Sequence, residues 1–216
     1  WGLPLFLGTD FGRTPATAIC QVTMEGQFRV LDEVPSVNSG IRSFTSDILI
    51  PRLVNEYRFH SMQVNNFGDP AGGDKGQTDE QTCIQIMNEL GIPTIPCPVH
   101  QNAFVLRREA VAAQLRLQIE GKPGMLVGPK CKLIREGFNG RYYYKKHASA
   151  DVGDDVASAH PEKNMFSHIH DALQYVVYGA SNPGTSAVFK NFSRYSRFGV
   201  GVQRDMRSGM DLSGFY

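Results

Sequence analysis

Asp10 stands in the stretch GTDFGRTPATAIC, directly after the apolar opening LPLFL. If residues 3–11 run as a strand, Leu5, Leu7, Thr9 and Phe11 share one face, and Phe6, Gly8, Asp10 and Gly12 share the other. The carboxylate then lies between two glycines, so nothing on its own face blocks the approach of a metal ion or a phosphate. Alone, a D-x-G reads as a turn. Asp69 repeats the device: it ends VNNFGD, Pro70 holds it extended and stops the strand, and Gly68 and Ala71-Gly72-Gly73 surround it with small residues. Asp171 is the third acid. On a helical wheel Met165, Ile169, Ala172, Leu173 and Val176 form a buried stripe, and Asp171 falls at its edge beside His168 and Tyr175. His170 points about 100° away from Asp171 and suits a site less well.

Each of these residues has an ordinary explanation by itself: Asp69 forms a turn, Asp171 is a solvated helix residue, and His168 is hydrogen-bonded at the core edge. Together, three carboxylates would repel and resist ionisation, so such a cluster implies bound divalent metal. All-oxygen ligands suit Mg²⁺ or Mn²⁺. Two ions ~3.5–4 Å apart activate a water and stabilise the leaving oxygen in phosphodiester hydrolysis.

The elements that must position these acids follow from periodicity. TAICQVTM and FRVLDEVPS read as two further strands joined by Glu25-Gly26-Gln27, an antiparallel meander with the first. A helix from Ser43 carries Phe44, Ile48, Leu49, Leu53 and Val54, with Pro51 expected to kink or split it. MQVNNFGD is a strand, and Thr78 and Gln81 form a capping box for a helix through Leu90, followed by the strand IPTIPC. NAFVLRREAVAAQLRLQIEG is a long helix ending near Gly121; GMLVG is a strand, CKLIREGF a helix and RYYYKK a strand. HASADVGDDVASAH reads as an acidic loop, and PEKNMFSHIHDALQYVVYGA as a helix opened by Pro161 and closed by Gly179. The expectation is an α/β domain over 1–180, with a mixed sheet (a meander followed by parallel strands) and helices on both faces. Residues 181–216, rich in Gly, Ser, Arg and Phe, read as a tail or appendage.

A chain of 216 residues with 41% apolar residues can bury one full core. Net charge of +1 excludes a global positive field, so nucleic-acid contact must come from a local patch. No apolar run approaches the ~18 residues of a membrane span, and WGLPLF lacks the basic start of a signal peptide, so the chain reads as soluble and unexported. It starts at Trp1, as a piece of a longer protein would. Cys20, Cys83, Cys97 and Cys131 form no CxxC pair, which fits reduced thiols; Cys97 and His100 lack the second pair a structural zinc needs. There is no internal repeat and no GxxxxGK[ST] loop.

The blocks GTDFGRTPATAICQ, FGDPAGGDKGQTDEQT, GPKCKLIREGFNGRYYYKK and PEKNMFSHIHDALQYVVYG, in this order, resemble the C-terminal nuclease domain of a bacteriophage terminase large subunit over about residues 3–180. DPAGGDKGQTDEQT and NMFSHIHDALQY are the most specific pieces. The resemblance implies a ribonuclease H-like fold, with Asp10, Asp69 and Asp171 as the acids that hold two Mg²⁺ or Mn²⁺ ions. It further implies cutting of double-stranded viral DNA at the start and end of packaging in the host cell cytoplasm. The implied partners are the terminase ATPase domain, missing from this chain, the portal protein and the small terminase subunit.

His168, Asp74 and Asp79 are candidates for support of the metal ligands, although Asp79 near a helix start is also explained by the helix dipole. Asp151, Asp154 and Asp155 read as a solvated loop. Lys130, Lys132, Arg135, Arg141, Lys145 and Lys146, mixed with Tyr142, Tyr143 and Tyr144, suit backbone contacts to DNA, as do Lys190, Arg194, Arg197, Arg204 and Arg207 of the tail. Two other classes compete. An actin-like or sugar-kinase-like ATPase also carries an acid and glycine on its first strand but needs a second glycine-rich phosphate hairpin, which is not found here. A catalytically silent DNA- or portal-binding module would bind without metal.

Overall fold

The computed structural model describes residues 3–59, 62–74, 81–148 and 155–182, with the side chains of 145–148 and 155–159 left out of the description. In chain order the strands are β1 (Leu5–Asp10), β2 (Ala16–Val22), β3 (Phe28–Pro35), β4 (Val64–Gly68), β5 (Thr94–Pro96), β6 (Gln118–Ile119), β7 (Lys122–Pro123), β8 (Met125–Val127), β9 (Tyr144–Ala148) and β10 (Asp155–Pro161). The α-helices are α1 (Ile41–Ser43), α2 (Ile50–Tyr57), α3 (Cys83–Glu89), α4 (Phe104–Arg116), α5 (Lys132–Glu136) and α6 (Met165–Ser181).

The expected meander forms: β1 pairs β2 and β2 pairs β3, both antiparallel. β4 and β5 extend the sheet in parallel beyond β1, and β8 extends it in parallel beyond β3, in the order β5-β4-β1-β2-β3-β8. Alternation along β1 divides its side chains as the sequence predicts. Leu5 and Leu7 enter an apolar core with Ile19, Leu49, Leu53, Met87 and Ile92, which places α2 and α3 on that face. Gly8 lies against α6 on the other face. A row of buried polar side chains pins the central register: Thr9 Oγ1 lies 3.0 Å from Thr17 Oγ1 and donates to Asn66 Oδ1 at 3.0 Å. Asn66 Nδ2 donates to Thr94 Oγ1 at 3.0 Å, so the row crosses four neighbouring strands with each group partnered.

Several elements differ from expectation, each for a local reason. Pro51 does not split its helical run: Phe44–Leu49 form a π-helical turn, in which Ile50 N–H reaches back to Thr45 O, and Pro51 opens α2 where its missing N–H costs nothing. The capping box belongs to Thr82 and Gln85, one turn beyond the expected pair. Thr82 Oγ1 accepts from Gln85 N–H at 3.1 Å, and Gln85 Oε1 from Thr82 N–H at 2.8 Å. Thr78 lies outside the described residues. Met87 of this helix is fully buried in the core. α4 stops at Arg116 because Glu120 and Gly121 both take positive φ, the requirement of a tight two-residue hairpin between β6 and β7. The expected acidic loop holds β10, paired antiparallel with β9. Pro161 ends that strand instead of opening the helix.

The true N-cap of α6 is Asn164, whose Oδ1 accepts from Phe166 N–H at 2.9 Å and Ser167 N–H at 3.1 Å, while Ser167 Oγ accepts from Asn164 N–H at 3.1 Å. Asn164→Ala is expected to cost about 1 kcal/mol and Asn164→Asp almost nothing, measured by urea unfolding of both.

Candidate active site

β1 and β4 run side by side in parallel, so their C-terminal ends meet. Asp10 is the last residue of β1, and Asp69 follows β4 directly, its N–H bonding Thr9 O at 2.9 Å. α6 crosses this end of the sheet. It can do so because of Gly8: a Cβ there would stand 2.0 Å from Ala172 O and 2.8 Å from Val176 N. The glycine beside Asp10 therefore makes room for a helix backbone, not for an ion as its position in the sequence suggests. Close seating of α6 brings Asp171 within electrostatic reach of Asp10, and one turn earlier His168 Nδ1 lies 2.9 Å from Asp10 Oδ2. The glycines around Asp69 need the same correction. A Cβ on Gly68 or Gly72 would stand 2.4 Å or 2.0 Å from the Phe11 ring, so these residues seat Phe11 under the loop. Gly12, by contrast, has nothing within 4 Å of the position a Cβ would take.

Asp10 and Asp171 are both more than nine-tenths buried, and Asp69 is half-buried. Burial raises the Asp10 carboxyl above the ordinary carboxylate range; the hydrogen bond from His168 opposes that shift, and the negative charges of Asp171 and Asp69 add to it. The other two acids are braced by donors. Asp69 Oδ1 accepts from Ala71 N–H at 3.0 Å and from Asn102 Nδ2 at 3.0 Å. Asp171 Oδ2 accepts from Lys163 Nζ at 2.9 Å, and its Oδ1 faces Arg107 Nη1 at 3.7 Å.

Arg107, Asn102 and Lys163 are the residues that sequence reasoning missed. Arg107 is buried, its guanidinium 4.4 Å from the centre of the Tyr175 ring. One signal for it existed. Arg107 lies three residues after Phe104 and four before Val111, and all three are buried, so a cation occupies the apolar stripe of α4. Lys163 and Asn102 lie on non-periodic segments and carry no such signal.

The other candidates separate. Asp74 is exposed and makes no side-chain hydrogen bond or ion pair among the described residues. Asp79, Asp151, Asp154 and the basic residues of the tail lie outside the described residues. Lys130 is paired with Glu56, Arg141 is exposed, and Lys145 and Lys146 are on β9 with side chains outside the description. His170 is structural, as its wheel position suggests: it stacks on Tyr142 at 4.6 Å, donates from Nε2 to Ile134 O at 3.2 Å, and is pushed down to about 4 by burial. Cys97 turns its thiol to Tyr175 O at 3.6 Å.

Among the described residues, no three His, Cys, Asp or Glu side chains form a ready-made metal cage. The donor set nevertheless fits a hard divalent ion in kind, being three carboxylates with oxygen ligands only. Lys163 and Arg107 already bring positive charge to Asp171.

Two crystal forms of the large terminase from a thermophilic bacteriophage superpose on this chain with a TM-score of 0.56 and 16% identity, over 82% of this chain. The fold is similar to that of a phage large terminase. The chain spans 39% of the length of that terminase, so the likeness concerns one part of it. No protein-family model matches the sequence, and no curated protein matches it. No helix among the described residues is long and apolar enough to cross a membrane.

Proposed function

We propose that this chain is a ribonuclease H-like nuclease domain of a phage terminase large subunit, a divalent-metal-dependent endonuclease that cuts double-stranded viral DNA during packaging. The observation that carries this reading is that Asp69 and Asp171 lie within electrostatic reach of Asp10, from two adjacent strand ends and one helix, in a fold similar to that of a large terminase. Partners under this reading are double-stranded DNA, the ATPase domain, the portal and the small subunit, in the host cell cytoplasm.

Asp10, Asp69 and Asp171 would hold two Mg²⁺ or Mn²⁺ ions, which supply an activated water and charge neutralisation at the leaving oxygen. The chain's own groups do the positioning. His168 fixes the rotamer of Asp10 through the Nδ1–Oδ2 contact. Arg107, packed on Tyr175, places a buried positive charge behind Asp171, and the hydrogen bond from Asn102 orients Asp69. Water is the nucleophile, and no covalent intermediate forms on the protein. With net charge near zero, DNA binding by the chain is weak, salt-sensitive and sequence-indifferent.

The test is incubation of the chain with supercoiled plasmid in Mn²⁺, in EDTA and with ATP. Nicking that requires Mn²⁺ and ignores ATP is expected. Metal-free retention of plasmid without nicking would favour a silent binding module, and nucleotide binding an ATPase.

A further inference from the structure

Asp171 is held from two sides by cations of opposite character. Arg107 approaches Oδ1 from within: its side chain is 7% exposed, it lies 4.4 Å from the Tyr175 ring, and its Nε and Nη1 have no hydrogen-bond partner. Its contact with Oδ1 is long, at 3.7 Å, beyond hydrogen-bond distance. Lys163 approaches Oδ2 from without: its Nζ is at 2.9 Å, and its side chain is 70% exposed. It lies on the short link between β10 and α6, tied down by Glu162 N–H to Tyr143 O at 2.9 Å and Asn164 Nδ2 to Arg141 O at 3.4 Å.

We propose that Lys163 is a resident cation of the acid cluster, which neutralises Asp171 when no divalent ion is present and must leave Oδ2 for the ion to load. The inference rests on the nuclease reading. A divalent ion ligated at ~2.0–2.2 Å and an ammonium at hydrogen-bond distance compete for the same lone pairs and repel each other. Lys163 is the cation able to leave. Its flexible stem reaches water, where a free ammonium is strongly hydrated, whereas Arg107 is packed on Tyr175 and cannot withdraw without exposing the helix interface. The two residues therefore divide the work: Arg107 keeps a positive charge beside Asp171 throughout, and Lys163 sets the ion concentration at which the site fills.

The test is a Mn²⁺ titration of the melting temperature of the full chain, for the parent, Lys163→Gln and Lys163→Arg. Melting reports loading independently of cleavage. Lys163→Gln, which keeps most of the side-chain length without the charge, is expected to melt lower than the parent in EDTA. It should reach half of its Mn²⁺-dependent rise at a three- to tenfold lower concentration. Lys163→Arg, which keeps the charge, is expected to stay within about twofold of the parent. An unchanged or higher half-saturating concentration in Lys163→Gln, with a normal rise in the parent, overturns the inference alone, since Lys163 would then support the ion instead of competing with it. Absence of any rise in the parent overturns the nuclease reading, and this inference with it.

Discussion

Asp10→Asn, Asp69→Asn and Asp171→Asn are each expected to lower Mn²⁺-dependent plasmid cleavage by at least ~10²-fold. Loss of a group that merely supports a metal ligand costs 10–100-fold, and loss of the ligand itself costs more. Full cleavage by Asp171→Asn would remove that residue from the site. The metal-free stabilities are expected to move in opposite directions. Asp10 is buried beside two like charges, with His168 as its polar partner, so removing its charge relieves repulsion. Metal-free Asp10→Asn should be more stable than the parent by ~0.5–2 kcal/mol. Asp171 instead compensates the buried Arg107, and Asp171→Asn leaves that guanidinium without its counter-charge, at a cost of about 2 kcal/mol or more. Mn²⁺ at 100 times its dissociation constant should add about 2.7 kcal/mol to the parent and much less to Asp10→Asn. Melting curves in EDTA and in millimolar Mn²⁺ decide both points; an equal gain from Mn²⁺ in Asp10→Asn would mean that Asp10 is not a ligand.

Gly8→Ala is expected to destabilise the fold by about 3 kcal/mol or more, at the upper end of overpacking effects. The new Cβ would meet Ala172 O at 2.0 Å and Val176 N at 2.8 Å, both backbone atoms of a helix buried almost all round. Neither can swing away as a flexible side chain would, so α6 must lift from β1. For a domain of this size each kcal/mol moves the melting temperature by roughly 2–4 °C, so a fall of about 6–12 °C should be read in a thermal melt. Because α6 carries Asp171 and His168, cleavage should fall with it even below the melting range. Gly12→Ala is the control: it meets nothing within 4 Å, and its melting temperature should stay within about 1 °C of the parent. A Gly8→Ala chain that melts like the parent would show that α6 does not sit on Gly8.

Period-two alternation was enough to divide β1 into a face of Leu5 and Leu7 and a face of Gly8 and Asp10, because strand geometry leaves no other arrangement. The strand-ending position of Asp69 before Pro70 and the placement of Asp171 beside His168 on α6 were legible for the same reason: they depend on local backbone geometry alone. The partners of these residues were not. A glycine declares that a Cβ is not tolerated, but not what stands in its place, and the helix over Gly8 and the Phe11 ring under Gly68 and Gly72 come from segments distant or reversed in the chain. The pairing of β9 with β10 and the cations on Asp171 are likewise contacts between segments with no shared period. Local sequence thus determined which residues could face the site. Long-range packing decided which of them meet, because burial and charge compensation act between surfaces that come together only when the whole sheet and α6 have formed.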